Sequence, residues 1–596
     1  MNRIATLVAS IIAAAAVSAG AADQAWVVKS NEHAQVLLKV LADFTPETAA
    51  SNGVESADAD VADFKPKVFE RSQKATKEAI KELKSRLGKE SDPTVKQDLQ
   101  ILITSAEDNV RSADLANDKL LPYVSVSRVV FTGIQNLLDP RVSKERQHKA
   151  LVRLARYAGQ EKGYEPIAKL ARDRTEERLK DKDLVGPFKG QVEQDLNDTP
   201  NLIAGIKDLF QQSGLSGWEQ NFEALSKQVT EYDAWVKATV TPRARADFRL
   251  PPEIYADNLH QYGIDIPVQQ LMAKALTSFS EIRNQMIALA PLVAKQKGLK
   301  VSDYRDVIRE LKKKQVTGKE ILPFFQHRLG EIEKVIVNDG LATLPARKAN
   351  IEIASAGETA IQPAPHMKPP RLIGNTGEAG IFMLPLNIPT AGGKEMKYDD
   401  FTSDSATWTI TAHEARPGHE MQFAAMVDKG VSIARAIFAF NSVNVEGWAL
   451  YAEAEMQPFE PLDGQLFALQ ARLQRAARAF LDPKLNLGQI TPEVAKAVLM
   501  NDVGLSEAMA TQEVNRYTFR LPGQATSYFY GYQRLMQTRE EAELALRDKF
   551  DRKAFNDFVL SQGLLPPDLL EKAVLEDFVK QQENKTEIAR KPAAKT

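Results

Sequence analysis

The sequence predicts a mostly α-helical protein, and three observations lead there. The chain is long, 596 residues, with 43% apolar and 26% charged residues, the balance of an ordinary soluble protein. Several long windows space apolar residues three and four apart with charges between them. Segments that read convincingly as strand are few. A chain of this length exceeds what one small core needs, so several subdomains or one large helical body are expected.

The elements follow in chain order. Residues 1–22 read as a signal peptide: Arg3 supplies positive charge, Ile4 to Val17 are apolar, and cleavage is expected near Ala19–Ala22. That apolar run is short for a membrane span of about 20 residues, and no later window approaches one. The mature protein is expected to be periplasmic or secreted, with no membrane span. Lys67 to Leu87, Val268 to Leu292 and Leu466 to Leu481 each carry the helical spacing. Gly380 to Leu384 is the best strand, and it follows Gly374, Gly377 and the prolines at 363, 365, 369 and 370. That Pro-rich stretch divides an N-terminal helical region, residues 23–362, from a C-terminal region, 363–580. Thr491-Pro492-Glu493 is a helix start, with Thr491 as N-cap and Pro492 at the first helical position. Arg539 to Leu560 reads as one long charged helix, and residues 581–596 as a disordered tail.

Composition also excludes function classes. Lys and Arg number 77 against 79 Asp and Glu, a net charge of -2, which argues against a nucleic-acid partner. There is no cysteine, so disulfides, thiolate metal ligands, cysteine nucleophiles and a lipidated cysteine are excluded. Chemistry must come from other side chains, and only seven histidines are present.

Two of them lie together in His413-Glu414-Ala415-Arg416-Pro417-Gly418-His419. Helical zinc hydrolases use H-E-x-x-H, which sets two imidazoles on one helix face beside a carboxylate. Here the spacing is six rather than four, which on an unbroken helix leaves the second ring about 120° from the first. Pro417 and Gly418 offer a remedy, because a kink with a two-residue bulge would return His419 to the missing position. The same pair is also compatible with two hydrogen-bonded residues at a helix end. Downstream, Glu446 sits in the apolar run Val443 to Ala452, where a carboxylate is costly unless paired or coordinated. It is a third zinc ligand or one half of a buried salt bridge. Glu453, seven residues on, is either a support for a ligand or an ordinary helix carboxylate. In the zinc reading His413, His419 and Glu446 hold Zn2+, and Glu414 is the general base. An oxyanion donor is needed too. The segment Glu513 to Tyr532 concentrates tyrosines beside a Pro-Gly turn, making Tyr528 and Arg516 candidates.

At these residues the sequence resembles the bacterial proteins grouped as domain of unknown function 885. The resemblance lies in His413 to Gln422, in Glu446 to Glu453 (Glu-Gly-Trp-Ala-Leu-Tyr-Ala-Glu), and in Arg516-Tyr517 followed by Pro522 to Tyr528. That family is in turn similar to helical gluzincin zinc peptidases. The similarity implies a large helical fold with a deep channel and a small β-sheet near the metal site. It also implies a sheet edge that pairs with extended peptide, placed here at Gly380 to Leu384, and an oxyanion-stabilising tyrosine at Tyr528. The Pro-Gly insertion between the histidines departs from the strict peptidase motif.

Together these readings describe an exported zinc metallopeptidase that hydrolyses short peptides through a metal-activated water. Two alternatives stay open: a zinc amide hydrolase acting on a non-peptide or cell-wall substrate, and a non-catalytic periplasmic binding or scaffold protein that keeps the fold. Endopeptidase or exopeptidase action, and the oligomeric state, are not legible.

Overall fold

The computed structural model describes residues 25–389 and 395–590. The signal-peptide segment and residues 591–596 therefore lie outside the described residues. The chain is 71% helical, so the expected helical fold is present. No described helix is long and apolar enough to cross a membrane.

Local signals place several helix ends. Val68–Leu87, Val268–Lys297 and Leu462–Asn486 are helices, the last two running past the predicted ends. Thr491 caps its helix by accepting from the Val494 N–H, with Pro492 following as expected. Asp92 does the same for Pro93–Lys119, accepting from the Thr94 and Val95 N–H groups. The predicted helix Arg539 to Leu560 is instead two. Thr526–Leu546 ends before Arg547, which takes positive φ, and Asp551 caps a new helix Arg552–Ser561 through the Ala554 N–H. An N-cap side chain satisfying an orphan N–H outweighed continuity of the charge pattern. At the C-terminus, Val579–Arg590 is helical, so the helix runs ten residues into the segment read as a tail.

Three helix sets bury the main cores. Ala25–Phe44, Val68–Leu87 and Pro93–Lys119 enclose Leu37, Leu83, Leu99 and Leu102. A second core lies around Phe131, Tyr157 and Phe210 and includes Ala360. The third joins helix Val268–Lys297 to helix Leu462–Asn486, with Phe279 meeting Phe480 edge-on at 5.5 Å. This third core spans the Pro-rich stretch, so residues on either side of 363 share one interior. Asp98 ties the N-terminal helices to the rest: fully buried, it accepts from Ser30 and Ser432 at 2.6 Å and from Arg435 at 2.8 Å.

The larger of two sheets among the described residues has three strands: β1 (Asn350–Ile353), β2 (His366–Lys368) and β3 (Ile381–Leu384); the smaller pairs Asn387–Pro389 with Glu395–Lys397. β3 lies in the middle, parallel to β1 and antiparallel to β2, with Phe382 opposite Ile351 and Met367. The expected edge strand is thus the central one. All four of its residues are buried, as a continuous apolar run with both faces covered should be. β2 is an edge, inside the Pro-rich stretch that the sequence marks as a boundary between two regions. Proline is tolerated along an edge because no ladder hydrogen bond is lost there.

Candidate metal centre

Helix Asp404–Glu414 carries His413 and Glu414 on its final turn and ends there. The Arg416–Pro417 peptide is cis, and a new helix, His419–Lys429, begins at the second histidine. The structure therefore has a four-residue turn, residues 415–418, between two helices where a bulge within one helix was expected. Proline has no N–H to continue the ladder. At Gly418 a Cβ would lie 1.9 Å from the His413 carbonyl oxygen and 2.4 Å from that of Ala412, so only glycine fits. The loop is pinned from outside: Trp448 Nε1 donates to the Pro417 carbonyl at 3.0 Å. Glu446 comes from helix Ser442–Met456, which crosses helix Thr526–Leu546 backbone to backbone at Gly447 and Gly531. A Cβ on Gly531 would stand 2.0 Å from the Val443 carbonyl oxygen. That close crossing brings Glu446 and Tyr528 to the same site.

The result is compact. His413, His419 and Glu446 each point a ligand atom into a group spanning no more than 4.8 Å. Glu446 Oε2 lies 3.3 Å from His419 Nε2 and 3.6 Å from His413 Nε2. Ligands about 2.0–2.1 Å from a tetrahedral zinc ion are themselves about 3.3 Å apart, so the spacing suits that ion. Among the described residues Glu446 Oε2 and His419 Nδ1 are buried with no hydrogen-bond partner. A buried carboxylate oxygen without a donor is costly, and a cation would satisfy it. The two-nitrogen, one-oxygen donor set fits a divalent ion of the zinc type.

The surrounding side chains hold these groups in place. Glu453 Oε1 lies 2.6 Å from His413 Nδ1, which assigns the proton to Nδ1 and leaves Nε2 with its lone pair toward the cluster. Glu453 is itself held by Thr409 at 2.8 Å and Arg475 at 3.2 Å. Gln524 donates to Glu446 Oε1 at 3.3 Å and accepts from Arg516 at 3.0 Å. Arg516 also donates to the Tyr528 hydroxyl at 2.9 Å, and the Tyr528 ring lies parallel to His413 with centroids 6.1 Å apart.

Electrostatics separates the three glutamates and the tyrosine. Burial pushes Glu414 up to about 8; His419 opposes that rise and Glu446 reinforces it. Burial also acts to raise Glu446, yet its contacts with His413 and His419 win and hold it well below the usual carboxylate range. Glu453 is lowered too, because Arg475 and His413 outweigh its burial. Burial raises the Tyr528 hydroxyl, with Arg516 partly offsetting it, so it stays protonated at neutral pH. Glu414 Oε1 stands 3.9 Å from His413 Nε2.

All six residues singled out from the sequence line one cavity of about 320 Å³. A second, of about 330 Å³, shares Gln362, Ala364, Met509 and Arg516 with it and extends toward Arg128 and Asp195. Edge strand β2 borders the first through His366 and Met367. Sequence reasoning missed Gln524, although it lies inside the Pro-Gly-Gln motif. It also missed His366 and the buried Gln474, Arg475 and Arg478 of helix Leu462–Asn486, for which local pattern offers no signal.

The whole molecule is similar to two solved structures. One is a provisionally assigned lipoprotein from Colwellia psychrerythraea, at TM-score 0.74 and 18% identity over 93% of this chain and 99% of that one. The other is a provisionally assigned lipoprotein of unknown function from Shewanella oneidensis, at TM-score 0.69 and 20% identity over 92% and 100%. At such identities the likeness concerns the fold alone. No curated protein matches the chain. The model of the bacterial proteins of unknown function DUF885 matches residues 46–574, nearly the whole described chain, and the protein belongs to that family.

Proposed function

We propose that this protein is an exported zinc-dependent metallopeptidase acting on short peptides. The observation that carries the reading is the buried convergence of His413, His419 and Glu446 within 4.8 Å, with Glu414 alongside. His413, His419 and Glu446 would hold the ion, which when bound would supply Lewis-acid activation of water and of the scissile carbonyl. Glu414 then takes a proton from the attacking water as the new C–O bond forms, and delivers it to the leaving nitrogen as the C–N bond breaks. The Tyr528 hydroxyl accepts from Arg516, which leaves its own proton free to donate to the carbonyl oxygen as charge develops there. Edge strand β2 offers unpaired backbone groups beside the cavity, suited to an extended peptide. Export is supported by the tripartite pattern of residues 1–22.

The test is metal content joined to turnover. Purified protein should carry about one zinc per chain and lose it on His413→Ala. Glu414→Gln should keep the metal and lose hydrolysis of a peptide library read by mass spectrometry. Protein free of any transition metal after purification without chelators refutes the site, and full activity of Glu414→Gln refutes the assigned base.

A further inference from the structure

Helix Leu462–Asn486 presents a polar stripe to the cavity that the proposed hydrolysis does not use. Gln470, Gln474 and Arg478 recur every four residues, so they share one face, and Arg475 lies beside them. All line the cavity although Gln474, Arg475 and Arg478 are 5%, 8% and 3% exposed. Each keeps a buried donor that meets no acceptor among the described residues: Gln474 Nε2, Arg475 Nε and Arg478 Nη1.

Buried guanidinium and amide donors are costly to leave unmade, so three on one cavity wall imply a group that completes them. Arg478 is already fixed in place. Its Nε and Nη2 clasp both oxygens of Glu513 at 2.6 and 2.7 Å, and its guanidinium lies 4.4 Å over the Tyr528 ring. The remaining nitrogen is thus held at a fixed point on the cavity wall, from which it can donate a charge-assisted hydrogen bond to a carboxylate oxygen. Charge agrees. Arg475, Arg478 and Arg516 balance Glu446, Glu453 and Glu513, and with Glu414 mostly protonated a bound divalent ion would leave the cavity with positive charge in excess. Among the other lining residues, Asp400 is paired with Lys312 at 2.6 Å, and burial lowers His366 so that it is neutral. Distance agrees as well. Tyr528 lies 6.1 Å from His413 and 4.4 Å from Arg478, so the Arg478 guanidinium is no more than about 10.5 Å from the His413 ring, a separation that at most three extended residues of about 3.5 Å each cover.

We infer that Gln474, Arg475 and Arg478 bind a carboxylate of the substrate within three residues of the scissile bond, so that the preferred substrates are short peptides anchored by a free C-terminal carboxylate. This rests on the peptidase reading and narrows it toward removal of residues from the C-terminus.

The experiment uses the zinc-loaded full chain carrying Glu414→Gln, which binds without turnover, and isothermal titration calorimetry. Three probes are compared: a blocked tetrapeptide acid, its C-terminal amide, and that amide with glutamate as the last residue. The acid should bind at least about 30-fold more tightly than the plain amide. The glutamate amide should match the plain amide if the α-carboxylate is recognised, and match the acid if the site takes a side-chain carboxylate. Equal binding of all three, or no binding of any, overturns the inference. Adding Arg478→Gln should reduce the acid preference to below about 3-fold. Gln474→Leu, which disturbs no ion pair, should lower it about 5-fold and serves if the arginine variant does not fold. Failure of the peptidase reading appears separately, as absent zinc or as absent hydrolysis by the unsubstituted chain.

Discussion

Glu453→Gln tests the claim that a buried carboxylate sets the state of His413. Glu453 is 2% exposed and holds His413 Nδ1 at 2.6 Å, Thr409 at 2.8 Å and Arg475 at 3.2 Å. Glutamine has nearly the same shape and keeps an oxygen for the Nδ1 proton, so the ring should stay where it is. The loss is charge. A hydrogen bond to an ionised partner contributes about 1.5–3 kcal/mol against about 1 for a neutral one. The difference, about 1.2 kcal/mol at the middle of that range, makes the imidazole a poorer donor by roughly eightfold in metal affinity. Arg475 also becomes an uncompensated positive charge near the ion, which pushes the total toward the 10–100-fold typical of such supporting carboxylates. The assay is competition for zinc against a chromophoric chelator at pH 7, with circular dichroism of the metal-free chain as a control for folding. A folded variant whose zinc affinity lies within twofold of the unsubstituted protein would refute the reasoning.

Three further outcomes are expected. Tyr528→Phe removes the hydroxyl that Arg516 orients, and should lower kcat by about 10²–10³ with zinc content unchanged; unchanged kcat would remove Tyr528 from the reaction. Gly418→Ala drives a methyl group into two backbone oxygens at 1.9 and 2.4 Å, so the loop must move and zinc should be lost from a chain that keeps its helical spectrum; a fully metallated variant would contradict the geometry. Asp482 is buried, accepts from Tyr255 and the Gly523 N–H, and burial pushes it up to about 7. Because its folded value lies above the unfolded one near 4, the native state holds the proton more tightly, and stability falls as pH rises between about 4 and 7. Asp482→Asn should cancel that loss, so the variant gains on the parent in urea melts as pH is raised through this window. A stability difference independent of pH would show that the group is not raised.

Some of the site was legible because its signals are local in sequence. His413, Glu414 and His419 announce themselves by residue type and spacing, and Glu446 by a carboxylate placed within an apolar run. Gln524 was legible in hindsight, since it stands two residues after Pro522 in the same turn, but nothing local says that its amide reaches Glu446 on a helix far back in the chain. The same limit hid Arg475 and Arg478. In sequence they are ordinary helix charges, and whether such a charge meets solvent or a cavity depends on what packs against it.

What the sequence determined by itself is therefore the short-range part: the helical content, the cap at Thr491, the β3 strand, and the residues able to ligate a metal. These follow from backbone preferences and side-chain chemistry that act over a few residues. Only the tertiary structure decided that the helix ends between the histidines, that β3 lies inside its sheet and β2 at its edge, and that four arginine and glutamine side chains of one helix face the cavity. Each of those depends on contacts between segments far apart in the chain, such as Trp448 on Pro417 and Gly447 against Gly531. The energy that buries a charge or closes a loop comes from the partner, and the partner is not encoded next door.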